Sequence, residues 1–239
     1  MVWNILCARF PFVGQLTGRR EHPDDEVLGC WGTIASLVQE GREVHIAILG
    51  EGATSRYQER DQADQSKVER LVSDSQKVSD LIGAKQVYNF GLPDNRFDTL
   101  PMLDVVKIVE KLVSEIEPSV IYTHHPGDLN IDHGVVFRAT LTATRPLSGC
   151  PVRDLYAFEI PSSTEWSFSM YKPEFRPNVF VDITDTVDVK IKAMQTYESE
   201  SRSFPHPRSP EALRAIASNW GSVVGVEYAE AFELIRSIR

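Results

Sequence analysis

The sequence is short of cysteine, of basic residues and of long apolar runs. Three cysteines, Cys7, Cys30 and Cys150, lie widely spaced among 239 residues. An odd, scattered set suggests neither a disulfide framework nor a cysteine-based zinc site, and a reducing cytoplasm is the expected setting. Lys and Arg total 25 against 34 Asp and Glu, a formal net charge of −9. That balance argues against nucleic acid or an anionic membrane as the main partner. No stretch nears the roughly 18 apolar residues of a membrane span. Arg9 and Pro11 interrupt the first apolar pieces and Arg19-Arg20 follow them, the wrong order for a signal peptide. There is no internal repeat, low-complexity tract or linker.

What is present is an ordinary globular composition, 42% hydrophobic and 25% charged, long enough to bury a large core in a single domain. Val27, Leu28, Ile34, Leu37 and Val38 recur at helical spacing. They predict a helix over 25–39, with Asp24 or Asp25 as cap, Glu26 in its first turn and Gly41 as its stop. Residues 44–49 form a continuous apolar run, as a buried parallel strand does. A helix over 60–82 closed by Gly83, a strand over 86–90, a helix over 103–116 stopped by Pro118 and a strand over 119–123 follow. Strands alternating with helices imply a parallel sheet with right-handed crossovers. Ligands then bind beyond the carboxyl ends of the strands, where the loops carry residues 51–56, Asp94 and residues 124–133. The last third is rich in proline. Strands are expected there over 155–160 and 179–181, and helices over 187–197 and 210–218, the latter capped by Ser209 with Pro210 at its first position.

Two clusters carry chemistry. His22-Pro23-Asp24-Asp25-Glu26 sets one imidazole and three carboxylates within five positions. A bend at Pro23 can turn His22 and Asp25 toward one point, a donor set that suits Zn²⁺ with open positions for water. Asp24 between them can serve as general base. The same carboxylates also suit a plain helix N-terminus. The second cluster, His124-His125-Pro126-Gly127-Asp128-Leu129-Asn130-Ile131-Asp132-His133, follows a predicted buried strand and precedes a helix-like stretch over 135–141.

With these two motifs in order, the sequence resembles the PIG-L/LmbE-like de-N-acetylases, zinc hydrolases acting on N-acetylglucosamine-type sugars. The resemblance runs from about residue 22 to the C-terminus. Gly29-Cys30, Gly91-Leu92-Pro93-Asp94 and Pro205-His206-Pro207-Arg208-Ser209 add to it. It implies that His22, Asp25 and His133 bind one zinc ion per chain, with Fe²⁺ or Co²⁺ also suited to a His₂Asp site. Asp24 would take a proton from zinc-bound water, which attacks the acetamide carbonyl. Many members have a histidine where this chain has Asn130; an amide can donate to an oxyanion but cannot shuttle a proton. The acid role then falls to Asp24 or His206. Asp132 is either an orienting neighbour of an imidazole or a helix cap, and His124 is read as orienting rather than ligating. Arg56 and Asp94 are candidates for binding the acetylated amino sugar. The apolar segment 228–238 and the resemblance favour a homo-oligomer.

Element pattern and resemblance together predict an α/β, Rossmann-like three-layer fold with a mainly parallel sheet over about 1–150. A mixed C-terminal extension over about 151–239 would complete the site within one domain, 1–239. Two departures stand out. Leu16-Thr17-Gly18-Arg19-Arg20-Glu21 replaces the hydrophobic strand that the family runs into its histidine. Either 8–21 is an insertion, with 3–7 or 12–16 as first strand, or the N-terminal sequence is aberrant, as after a shifted reading frame, and the strand is damaged. Trp31 stands where the family has a small glycine, so a bulky ring must fit near the first helix turn. These departures leave open a non-catalytic or metal-deficient relative that binds sugar or serves a structural role. The two clusters are also compatible with another metal hydrolase, an amidase of sugar–thiol conjugates or a phosphoesterase.

Overall fold

A computed structural model describes the backbone of residues 2–8 and 12–18, and residues 24–239 apart from the side chain of Arg60. His22 therefore lies outside the described residues. Strands β1 (Val2–Ala8) and β2 (Phe12–Gly18) form an antiparallel hairpin. Both stretches considered for the first strand are thus strands.

Next come helix α1 (Asp25–Gln39), strand β3 (His45–Gly50), helix α2 (Gln65–Ile82), strand β4 (Gln86–Leu92), helix α3 (Met102–Ile116), strand β5 (Val120–His124) and helix α4 (Ile131–Ala143). The chain closes with β6 (Asp154–Phe158), β7 (Val179–Asp182), α5 (Val187–Thr196), α6 (Pro210–Val224) and β8 (Ala229–Ser237). Among the described residues no helix is long and apolar enough to cross a membrane.

The described strands form one sheet in the order β4-β3-β1-β5-β6-β8-β7, with β2 paired to β1. Strands β3 and β4 are parallel, as are β5 and β6; β1 runs against β2, β3 and β5, and β8 against β6 and β7. Strands β2 to β7 therefore share one direction, with β1 and β8 against it; β3–β4 and β5–β6 are the parallel pairs, and β1 and β8 bring antiparallel ones into the same sheet. Strand β8 is an addition to the elements expected from sequence. It lies between β6 and β7, so the apolar segment that argued for self-association is instead consumed by the sheet.

Period-two alternation sorts the strand residues to two faces. Ile46, Ile48 and Tyr122 join one core with Val27, Ile34 and Met194 from α1 and α5. Ala47, Leu49 and Ile121 join another with Val105, Val109 and Val136 from α3 and α4. Helices thus cover both faces, giving three layers. Trp31 is fully buried in the first core, so the ring is accommodated. Gly29 stays small because an added Cβ would strike the ring of Phe158.

Helix α1 is broken at Cys30, whose φ of −154° and ψ of 18° are not helical. A break in a buried helix frees backbone donors and acceptors that must find partners. The Glu230 carboxylate accepts from the amides of Gly32 at 3.0 Å and Thr33 at 2.7 Å. Lys190 Nζ donates to Leu28 O at 2.8 Å and to Glu230 Oε1 at 2.6 Å. This buried ion pair splints the kink from both sides and so fixes the first turn, which begins at Asp25. Replacing Lys190 by Met should cost about 3–5 kcal/mol, since Glu230 would be left as an uncompensated buried charge. Urea unfolding measures it, and a loss below about 1 kcal/mol would contradict the splint.

Candidate metal centre

The first turn of α1 and the loop after β5 meet at the carboxyl ends of the strands. Asp25, His124 and His133 are each fully buried. Asp25 Oδ2 lies 3.5 Å from His124 Nε2 and 3.3 Å from His133 Nε2. The two imidazole centroids are 4.0 Å apart. One donor atom from each residue falls within 4.8 Å of the others, a group able to hold a metal ion. The histidine that sequence alone assigned to orientation, His124, approaches the same carboxylate oxygen as His133.

The chemistry of these donors fits a divalent ion such as zinc. Burial pushes the His124 imidazole down to about 3, helped by the neighbouring His133. A neutral imidazole is the ligating form. Burial opposes charge on Asp25, while hydrogen bonds from His124 and His133 favour it, and its carboxyl lies well below the usual carboxylate range. Burial also opposes charge on His133, but Asp128 and Asp25 hold its pKa above the ordinary value. Asp128 Oδ1 stands 3.1 Å from His133 Nδ1, behind the ring. Asp128 is itself fixed by the Asn130 amide at 2.9 Å, by Thr164 Oγ1 at 2.8 Å and by Ser163 Oγ. A carboxylate behind a ligating histidine sets its tautomer and basicity.

Asp24 is fully buried beside this group. It occupies the cap position of α1 but makes no side-chain cap bond. Its Oδ2 accepts from Arg208 Nη1 at 3.1 Å, while Oδ1 has no hydrogen-bond partner among the described residues. Burial pushes its pKa up to about 7 against the pull of Arg208. Glu26 accepts from the Tyr197 hydroxyl at 2.5 Å, and burial raises its pKa well above the usual range.

Asn130 caps α4, its Oδ1 accepting from the Asp132 amide at 3.1 Å. Its Nδ2 is buried and has no hydrogen-bond partner among the described residues. Asp132 is therefore not the cap; its Oδ1 accepts from the Phe97 amide at 2.9 Å. Asp94, 1% exposed, accepts from the Ser55 amide at 3.0 Å. Arg56, on a short helical turn after β3, pairs with buried Glu200 at 3.0 Å. His206 accepts from the Arg208 amide at 3.1 Å and meets the Trp166 ring edge-on, centroids 5.4 Å apart. Two neighbours of the site carry no role in the sequence pattern. Asp128 sits unassigned within its own motif, and Arg208 is the fourth residue of the Pro-His-Pro-Arg-Ser run, with its partner far away in sequence.

The model of the PIG-L family, described as GlcNAc-PI de-N-acetylase, matches residues 21–144. The chain belongs to the PIG-L family. Both halves of the metal motif fall inside the matched span. Among its relatives, a diacetylchitobiose deacetylase of Thermococcus kodakarensis is 27% identical over 91% of this chain and 81% of its own. A 1D-myo-inositol 2-acetamido-2-deoxy-alpha-D-glucopyranoside deacetylase from a Mycobacterium species is 23% identical over 91% of this chain and 84% of its own. In fold, this PIG-L chain is similar to the N,N'-diacetylchitobiose deacetylase of Pyrococcus horikoshii. The TM-score is 0.71 at 21% identity, covering 92% of this chain and 82% of that one.

If Asp128 buttresses a ligating His133, Asp128→Asn should weaken zinc affinity by about 10–100-fold while leaving the fold intact. Competition against a chelator of known affinity reads this directly; unchanged affinity would remove Asp128 from the centre.

Proposed function

We propose that this chain is a zinc-dependent hydrolase that removes the N-acetyl group from an N-acetylglucosamine-type sugar or glycoconjugate. The observation that carries the reading is Asp24. It is a buried carboxylate next to the Asp25, His124 and His133 group, engaged by Arg208 on one oxygen and, among the described residues, without a hydrogen-bond partner on the other. Family membership and the deacetylase relatives support the same reaction class. Asp25, His133 and His124 would hold the ion, joined by His22 from the motif. When bound, the ion supplies a Lewis acid and lowers the pKa of a coordinated water.

Asp24 takes a proton from the attacking water, whose oxygen adds to the acetamide carbonyl carbon. The Asn130 Nδ2 group, its oxygen already committed to the helix cap, donates to the oxyanion that forms. The C–N bond then breaks. The proton held on Asp24 passes to the leaving nitrogen, releasing the amino sugar and acetate. His206 is the second candidate for proton delivery, its Nδ1 held by the Arg208 amide. Arg56 faces the substrate hydroxyls, and Asp94 steadies the loop that carries it through the Ser55 amide. Free thiols at Cys30 and Cys150 suit a reducing cytoplasm.

The same architecture serves another chemistry in the 4-carboxy-2-hydroxymuconate hydratase of Pseudomonas putida, similar at a TM-score of 0.70 and 20% identity over 93% of this chain and 96% of that one. Substrate therefore has to be tested rather than inherited. On a panel of N-acetylated amino sugars, Asp24→Asn should lower kcat by about 10²–10⁴-fold with metal content unchanged. Full turnover by the metal-loaded variant would remove Asp24 from its assigned role.

A further inference from the structure

The Asp24–Arg208 pair is one end of a longer chain of charges. Glu200 lies four residues beyond the end of α5 and is fully buried. Its carboxylate receives Arg56 Nη2 at 3.0 Å and 3.3 Å and Ser199 Oγ at 2.7 Å. Arg202 Nη2 stands 3.8 Å away and Arg208 Nη1 3.9 Å away. That Nη1 is the same nitrogen that meets Asp24 Oδ2 at 3.1 Å. Arg208, 4% exposed, is braced on its other side by Nε donating to Ser162 Oγ at 2.7 Å.

We infer that Glu200 is a positioning residue for the reaction, acting on Asp24 through Arg208 and tying Arg56 to the same carboxylate. The inference rests on the reading of Asp24 as the general base. A guanidinium readily forms a two-pronged pair with a carboxylate. Were Asp24 its only close anion, Arg208 would be drawn onto both Asp24 oxygens, and Oδ1 is the oxygen that the proton transfer needs. Glu200 competes with Asp24 for the same Nη1, and Ser162 fixes Nε, so one nitrogen reaches one Asp24 oxygen. A buried carboxylate is costly unless paired, and Glu200 is paired by arginines from the loop after β3 and from the segment before α6. One acidic side chain thereby registers two loops against the first turn of α1.

The test uses the metal-loaded full chain and Glu200→Gln. Metal content should stay at the wild-type level while kcat on an N-acetylated amino sugar falls about tenfold or more, as small misplacements of a reacting group do. The fall in kcat should exceed any rise in KM. A melting cycle of Asp24→Asn, Glu200→Gln and the double variant reads the connection without activity. Sharing Arg208, the two effects should depart from additivity by about 2 °C or more. Should Glu200→Gln not fold, Glu200→Asp, which keeps the charge but shortens the reach, replaces it with the same expected losses. Unchanged kcat together with additive melting shifts would overturn the inference. A wild-type protein that hydrolyses no N-acetyl sugar would instead overturn the reading of function, and the melting cycle would still decide whether Asp24 and Glu200 are joined.

Discussion

Two imidazoles, His124 at the end of β5 and His133 in the first turn of α4, converge on one carboxylate oxygen from the first turn of α1. Everything else at the carboxyl edge is arranged so that Asp25, His124 and His133 can meet in a buried site. Such a concentration of polar groups in a core costs several kcal/mol per unpaired charge. The protein offsets that cost group by group. His133 has Asp128 behind it, Asp128 has two hydroxyls and an amide, and Asp24 has Arg208.

Position depends on the rest of the fold. The first turn of α1 can point at the β5 loop because the helix breaks at Cys30 and the Lys190–Glu230 pair satisfies the break. Lys190 belongs to α5 and Glu230 to β8, both in the final third. That third therefore completes the support of a group, able to hold a metal ion, whose residues come from the first 133. Arg208 and Glu200 come from the same third; Arg208 meets Asp24, and Glu200 lies 3.9 Å from the same Arg208 nitrogen.

Much of this is legible in the sequence, for identifiable reasons. Helical spacing in 25–39 and 103–116, and apolar runs at 44–49 and 119–123, give the α/β alternation, because burial on a sheet leaves periodic marks. The two His/Asp motifs are readable because a group able to hold a metal ion draws on few residue types, set at short spacing. Strand β8 is not, since its segment, rich in apolar residues, looks equally suited to a surface contact. Trp31 raises a doubt that packing resolves, as the ring is fully buried in the core that α1 and α5 share with the sheet. Arg208 and Glu200 are out of reach for a different reason. A buried charge is recognisable only with its partner, and Asp24 and Arg208 are 184 positions apart. Asp132 suits a helix cap by its residue type, but Asn130 two residues earlier takes that place.

The measurement that bears most directly on the account is anomalous diffraction at the zinc absorption edge from crystals grown with Zn²⁺. One strong peak per chain is expected, within about 2.0–2.2 Å of an Asp25 oxygen and the facing nitrogen of His133. A protein that crystallises with the two clusters in place and shows no peak there, or one elsewhere on the surface, would contradict it.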